Sequence, residues 1–346
     1  MKKIIFVLFL IVNVFAGEII EMLPYKNSEF SPALKESFPI EFILKKDSNV
    51  SVEIYTPDNN LIRTLNKSFK KGKNKIIWDG KDSKGVIVPD EAYNIVLKAD
   101  KEVLDFRDSG GKIIKDLKRK IDKRGKISYK LSKPSRVLIR AGIQNGPMLR
   151  VISNWIPKNK GLIVQRWNMK DKDEIIDISK YNFAISISAF ELPKYAIITT
   201  NNKTESYLQY FKRNHFKCNK KSKKNLDKGF SKHSYSCRLE EKEPNLKMQI
   251  NNVPLNSKNT PILTNGKLAL VKVSMNSEDE ELFEKVKYEV SFFVDLQFTS
   301  EEELGYMPIS WNFNPNGLKK GEHILTVNVS SFDGKVGVKN LGFMVE

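Results

Sequence analysis

Residues 74–99 read NKIIWDGKDSKGVIVPDEAYNIVLKA, and this stretch gives the strongest indication of the fold class. Two runs of apolar, β-branched and aromatic residues, 74–78 and 93–99, flank a segment rich in Asp, Lys and Gly. Apolar and polar residues that alternate over short runs, with turn residues between the runs, are typical of antiparallel strands with one buried face. The pattern predicts two strands of a β-sandwich, with Trp78 and Tyr93 in its core.

The same motifs recur in the same order about 88 residues later. The matching pairs are Leu44 and Leu131, Val50 and Val137, Arg63 and Arg150, Trp78 and Trp167, Tyr93 and Tyr181, and Ala99 and Ala189, at offsets of 87 to 90. Ordered matches at a nearly fixed offset define a repeated folding unit. We predict tandem immunoglobulin-like β-sandwiches at 17–100 and 127–200, with a charged joint at 101–126 and with Trp167 and Tyr181 in the second core.

A family resemblance accompanies the first copy. Its motifs are VSVEIY (50–55), LIRTL (61–65), WDGKDSKG (78–85), Val88-Pro89 and Tyr93, and with them it resembles the immunoglobulin-like domain of the flagellar hook-capping protein family. The second copy keeps the Trp and the Tyr but has Asn168 and Met169 where the family has Asp and Gly. The resemblance implies a module of a secreted bacterial protein that presents a surface and carries no catalytic centre.

The acidic residues of the first motif can have either of two roles. Asp79 and Asp82 lie in a turn, where Asp side chains accept hydrogen bonds from nearby backbone N–H groups. Carboxylate oxygens in a turn also suit calcium, which is the alternative. We expect the turn-capping role.

Residues 1–16, MKKIIFVLFLIVNVFA, have the layout of a secretory signal peptide: two lysines, an apolar block, and small residues before a cleavage site. The apolar block is shorter than the roughly twenty residues that span a bilayer. We therefore predict an exported chain that begins at Gly17 and resides in the periplasm, at the cell surface or outside the cell, with no transmembrane segment after cleavage.

The net charge is +18, and it is concentrated in the middle of the chain. Residues 17–100 are neutral and residues 244–346 carry −3, whereas residues 101–243 carry +19. Concentrated positive charge attracts anionic polymers, although the lysines could equally serve solubility alone. No nucleic-acid-binding module accompanies the charge, so specific nucleic-acid binding is not expected. The candidate polyanion contacts are Lys118, Arg119, Lys120, Lys123, Arg124, Lys220, Lys221, Lys223 and Lys224.

Cys218 and Cys237 are the only cysteines, and they lie in a basic insert at 201–243. In an exported chain a disulfide is the natural expectation. The alternative is a zinc site, because His215, Cys218, His233 and Cys237 have a spacing that can place four ligands around that metal.

Strand-like runs resume after the insert and predict a third β-sandwich at 244–346, with Trp311 in its core. The chain has no G-x-S-x-G, H-E-x-x-H or phosphate-binding glycine motif, so we expect neither an enzyme nor a cofactor. The sequence favours an exported structural or adaptor protein of the envelope or cell surface that binds a partner protein. The alternative is an accessory subunit that binds an anionic glycan or another polyanion through the basic middle region.

Overall fold

Nearly all regular structure among the described residues is β-strand, as the alternating pattern predicts. The computed structural model describes residues 18–115, 117–220 and 229–346, and the backbone of Phe15 and Ala16. The predicted signal peptide lies outside the described residues except for these last two, which pair with residues 21–22. The strands form three immunoglobulin-like β-sandwiches, so the predicted fold class is confirmed.

The first sandwich consists of two sheets that enclose a core around Trp78 and Tyr93. One sheet has the strand order β1-β2-β4-β7, and the other has the order β3-β16-β8-β5-β6, with β9 paired to β8. The strands are β1 (Phe15–Ala16), β2 (Ile20–Met22), β3 (Glu29–Phe30), β4 (Phe38–Leu44), β5 (Ser48–Tyr55), β6 (Leu61–Phe69), β7 (Gly72–Trp78), β8 (Ala92–Ala99) and β9 (Glu102–Asp105).

A segment from much later in the chain completes this first sandwich. Strand β16 (Ile197–Thr199) lies between β3 and β8, parallel to the former and antiparallel to the latter. Helix α1 (Tyr207–Arg213) follows it, and the described residues up to Gly110 form one compact unit with residues 192–220. The predicted end of the second repeat at residue 200 is therefore wrong, because residues 192–200 pack on the first sandwich.

The second sandwich repeats the order of six strands of the first, without counterparts of β1, β3, β9 and β16. Its sheets have the orders β10-β11-β14 and β13-β12-β15. The strands are β10 (Arg119–Ile121), β11 (Lys126–Leu131), β12 (Ser135–Ile143), β13 (Met148–Lys158), β14 (Gly161–Arg166) and β15 (Phe183–Glu191). Alternate residues of β11 and β12, such as Tyr129 and Ile139, point into its core.

The third sandwich has sheets of three and five strands, in the orders β17-β19-β22 and β18-β24-β23-β20-β21. Its elements are β17 (Leu246–Asn251), β18 (Ile262–Leu263), β19 (Ala269–Met275), α2 (Ser277–Glu284), β20 (Tyr288–Val294), β21 (Gln297–Glu302), β22 (Ile309–Phe313), β23 (Gly321–Ser331) and β24 (Val336–Val345). Trp311 is partly buried and stacks on Phe292, with ring centroids 4.5 Å apart.

The second and third sandwiches belong to one compact unit, which comprises the described residues of 111–191 and 229–346. Polar side chains join them. The amide of Asn328 makes two hydrogen bonds of 2.8 Å with the backbone N–H and C=O of Met148. Asp173 accepts a hydrogen bond from the backbone N–H of Asn340 at 2.7 Å. Specific hydrogen bonds at these distances indicate a fixed junction between the two sandwiches.

Candidate functional site

The WDGKD turn of the first sandwich is held by its own side chains. The indole Nε1 of Trp78 donates to the carbonyl oxygen of Lys81 at 3.0 Å, and Asp79 Oδ1 accepts from the Lys81 N–H at 3.1 Å. Gly80 has a φ of +73°, and a Cβ there would lie 2.2 Å from Pro32 Cγ. Only glycine fits such a left-handed and crowded position without displacement of its neighbours.

Asp82 is buried at the centre of this turn, and both of its carboxylate oxygens are occupied. Oδ1 accepts hydrogen bonds from the N–H groups of Lys84 and Val86 at 2.9 and 3.0 Å. Oδ2 accepts from the hydroxyl of Tyr210 at 3.0 Å. These donors satisfy the charge that burial would otherwise make costly. The structure thus gives Asp82 the expected role of organising the turn, in place of the calcium alternative.

The second sandwich reproduces the main contacts of this turn. Trp167 Nε1 donates to the carbonyl oxygen of Lys170 at 2.9 Å, and Asn168 Oδ1 accepts from the Lys170 N–H at 3.1 Å. Met169 takes the place of Gly80 and has a φ of +58°. Arg150 donates to the Asp171 carbonyl at 2.9 Å, as Arg63 does to Asp82. The substitutions that make this copy look degenerate therefore leave these contacts in place, although the segment closed by Asp171 is one residue longer than the one closed by Asp82.

The predicted core role of Tyr181 is wrong, because this side chain is 43% exposed. Tyr93 and Ala99 both lie in β8, and the residue paired with Ala99 across the sheet is Val50. In the second copy Val137 pairs with Ala189, which places Phe183 at the position of Tyr93. The correct offset here is two residues larger than the tyrosine match suggests. Trp78, Tyr93 and Trp167 are all buried.

Helix α1 places two tyrosines on buried carboxylates of the first sandwich. Tyr207 donates to Asp58 Oδ2 at 2.8 Å, one helical turn before Tyr210 reaches Asp82. Burial, and then the neighbouring carboxylate, raise the pKa of each tyrosine well above its usual value, so both hydroxyls stay protonated donors. The alternating pattern of the sequence does not predict this contact. The capping box formed by Ser206 and Gln209 was the available signal, since it marks the helix start.

Cys218 and Cys237 form a disulfide, as predicted. Both sulfurs are thereby used, so the alternative zinc set is not assembled. His233 instead bonds Glu241 through Nδ1 at 2.9 Å and lies against the ring of Trp155. Within the described part of the chain, no group of three or more His, Cys, Asp or Glu side chains is arranged to hold a metal ion.

The basic residues of the joint form part of an exposed sheet face. Lys120 on β10, Ser128 on β11 and Val164 on β14 lie in one row across the sheet, and Lys130 and Leu162 lie in the adjacent row. We call this surface the basic face. Its members are Lys118, Lys120, Lys126, Lys130, Leu162, Val164 and Arg166, all exposed.

The cations of the basic face have no carboxylate partner among the residues that the structure describes. Among the described residues, none of its five Lys and Arg side chains forms an ion pair. The one carboxylate in the adjoining turn, Asp122, accepts from the N–H groups of Lys126 and Arg124, and these bonds hold its pKa below the usual value. Leu162 and Val164 are 71% and 50% exposed on the same face. The face therefore combines unpaired charge with exposed aliphatic surface.

The structure only partly groups the predicted polyanion contacts. Lys118 and Lys120 lie on the basic face, Arg119 is exposed but pairs with Tyr129 on the opposite side of the sheet, and Lys123 and Arg124 lie in the adjoining turn. Lys220 belongs to the other compact unit. Lys221, Lys223 and Lys224 lie outside the described residues. Lys126, Lys130 and Arg166 were missed, because only the pairing of β11 and β14 shows that they share this face.

Comparisons with known proteins give weak structural similarities. No family model matches the chain, and no curated protein matches it. Among solved structures, FlgD from P. aeruginosa is 25% identical, with coverage of 26% of this chain and 70% of its own, and a TM-score of 0.21. Fibronectin(III)-like modules of CbhA from Clostridium thermocellum are 10% identical, with coverage of 95% and 94% and a TM-score of 0.22. A tetra-tandem repeat of a large adhesion protein is 8% identical, with coverage of 89% and 70% and a TM-score of 0.21.

No helix among the described residues is long and apolar enough to cross a membrane.

Proposed function

We propose that this chain is an exported, non-enzymatic structural or adaptor protein of the bacterial envelope or cell surface, which binds a partner protein through the surfaces of its sandwiches. The supporting observation is that the carboxylates of the turn motifs are engaged within the fold, whereas the basic face is exposed. Asp82 and Asp171 are each saturated by hydrogen bonds within the fold, whereas the cations of the basic face have no ion-pair partner among the described residues. Such a distribution suits recognition at a surface.

A capture experiment in intact cells tests this function. The full chain carrying an affinity tag is crosslinked in the cells that produce it, and the bound proteins are identified by mass spectrometry. We expect the exported chain to begin at Gly17 and to retain a specific protein partner.

The basic-face variant Lys120→Glu/Lys130→Glu should lose that partner, because it reverses two charges of the face without touching the core. The matched control is Lys258→Glu/Lys267→Glu, which reverses two exposed lysines of the third sandwich. Equal recovery with all three proteins would contradict a role for this surface.

The second candidate function is the binding of an anionic glycan or another polyanion, favoured by five exposed cations on one sheet face that form no ion pair with a described residue. Closely spaced positive charges bind a polyanion more strongly than the same charges dispersed. The wild-type chain should then bind a heparin column and elute at raised salt. The basic-face variant should elute earlier, and the control variant should elute with the wild type. Elution of the wild type at low salt would exclude this function.

A further inference from the structure

A second exposed surface lies on the third sandwich and has the opposite charge. Strand β21 is an outer strand that pairs only with β20 among the described strands. Glu301, Glu302 and Glu303 are exposed at and just beyond its end, and none of them forms an ion pair within the described residues. Phe298, Leu304 and Tyr306 are exposed in the same segment by 59%, 66% and 58%. We call residues 297–306 the acidic edge.

The charges restrict what each surface can bind. Outer strands have unpaired backbone groups that can pair with another chain, and charged residues on such strands prevent unwanted pairing. Three adjacent glutamates repel a second acidic edge, and five cations repel a second basic face. Neither surface therefore suits symmetric pairing with itself. Both allow the opposite pairing, in which an acidic edge meets a basic face.

The two surfaces also match in their apolar residues. Leu162 and Val164 lie on β14, an outer strand of its own sheet among the described strands, and Leu162 is 71% exposed. The acidic edge offers Phe298, Leu304 and Tyr306 beside its glutamates. Burial of exposed apolar groups provides the favourable free energy, while the opposite charges select the partner and its orientation.

We propose that the basic face of one copy binds the acidic edge of a second copy, so that the chain assembles head to tail. The inference rests on the proposed function and names a partner for the same surface, a second copy of this chain. Because the two surfaces differ, each copy can bind two others, and the assembly grows as an open filament or closes as a ring.

The size of the basic face predicts weak association. Three strands about 4.8 Å apart, over about five residues each, give a footprint of a few hundred Å², below the roughly 800 Å² per partner of a standard interface. Assembly should therefore need high protein concentration, and it should be sensitive to salt because both surfaces are exposed.

Sedimentation velocity and light scattering of the full chain, from about 10 μM to about 1 mM at low and high salt, test the proposal. We expect the average mass to rise with concentration at low salt and to fall to that of the monomer at high salt. The basic-face variant Lys120→Glu/Lys130→Glu and the acidic-edge variant Glu301→Lys/Glu303→Lys should each remain monomeric. An equimolar mixture of the two variants should associate again, because each supplies a surface that complements the other.

Three results would overturn the inference. They are a wild type that stays monomeric throughout, a mixture that does not recover association, and a Lys258→Glu/Lys267→Glu control that associates as poorly as the basic-face variant. Circular dichroism of each variant shows whether the fold is retained. A monomeric wild type that still captures another protein would sink the inference while the proposed function survives. A monomer that instead binds heparin through the basic face would favour the polyanion alternative.

Discussion

At the scale of single residues, the most informative groups are the buried carboxylates and the tyrosines that reach them. Asp58 and Asp82 are both buried, and each accepts a hydrogen bond from a tyrosine hydroxyl of α1. A hydrogen bond to a charged acceptor contributes more than one between neutral groups, and a buried acceptor that loses its donor is costly. These tyrosines should therefore contribute directly to the stability of the first sandwich.

Tyr210→Phe should lower the free energy of unfolding by about 1.5 to 3 kcal/mol, since it removes one hydrogen bond to the buried Asp82 carboxylate and leaves the ring in place. Urea unfolding of the full chain, followed by fluorescence, measures the change. The matched control is Tyr181→Phe, which alters an exposed hydroxyl and should stay within about 0.5 kcal/mol of the wild type. Equal effects of both substitutions would contradict the assigned contact.

His323 should make stability depend on pH. Its Nδ1 lies 2.6 Å from Asp295 Oδ2 and its Nε2 lies 2.6 Å from the Lys319 carbonyl, so both nitrogens face acceptors and the charged imidazolium is favoured. Burial alone lowers the pKa of His323, but these hydrogen bonds outweigh it, and the net pKa is raised above 6.5.

Because the pKa of His323 is higher in the folded state, its stabilising effect is complete below about pH 6.5 and is lost as the pH rises through the raised value. His323→Gln should remove this dependence from the unfolding free energy measured between pH 5 and pH 9. The effect should be about 1 kcal/mol at most, since Asp295 is partly exposed to solvent. A variant with the same pH dependence as the wild type would show that other groups cause it.

At the scale of elements, the sequence pattern predicted those strands and turns that are held by contacts between residues close in sequence. The strands of both repeats, the WDGKD turn and its degenerate copy arise from neighbouring residues, so their alternation and spacing appear in the sequence. Tyr181 was matched to Tyr93 although Phe183 occupies that position. The segment before β15 differs in length from the segment before β8, and only the strand register reveals this difference. Strand β16 was not predicted, because its partner strands precede it by about a hundred residues or more and no local pattern indicates such a partner.

The disulfide is the covalent link between the two halves of the predicted insert. The variant Cys218→Ser/Cys237→Ser should lose about 3 kcal/mol of stability, because the loop between residues 218 and 237 is no longer closed in the unfolded chain. Unfolding of the wild type under reducing conditions should give the same loss, which controls for the serine side chains. Alkylation of the denatured, unreduced wild type followed by mass spectrometry should label no thiol. Two labelled thiols would rule out the bridge.

At the scale of the molecule, charge and cooperativity are distributed unevenly. The positive excess lies in the middle of the chain, and the structure places part of it on one exposed sheet face. The second and third sandwiches share one compact unit, in which Asn328 pairs with Met148 much as two strand residues pair in a ladder. Since these contacts join the two sandwiches, they should make the two sandwiches unfold together.

Asn328→Ala should lower the stability of this unit by about 2 kcal/mol, because it removes two hydrogen bonds to the Met148 backbone. Differential scanning calorimetry should also show a broader transition, as the two sandwiches begin to unfold separately. Ser330→Ala on the same strand is the control and should change little. A narrow transition in the Asn328 variant would mean that other contacts couple the two sandwiches.

Strand β16 lies late in the chain but belongs to the first module, and this position affects the order in which the modules of the nascent chain are completed. Ribosomes deliver the polypeptide from its N-terminus, so the first module emerges before the others. Yet its larger sheet lacks an internal strand until residue 199 has emerged, whereas β10 to β15 of the second module are all present by residue 191. The module synthesised first is thus completed only after its neighbour has all its strands, and until then β3 and β8 expose backbone groups that a chaperone could shield.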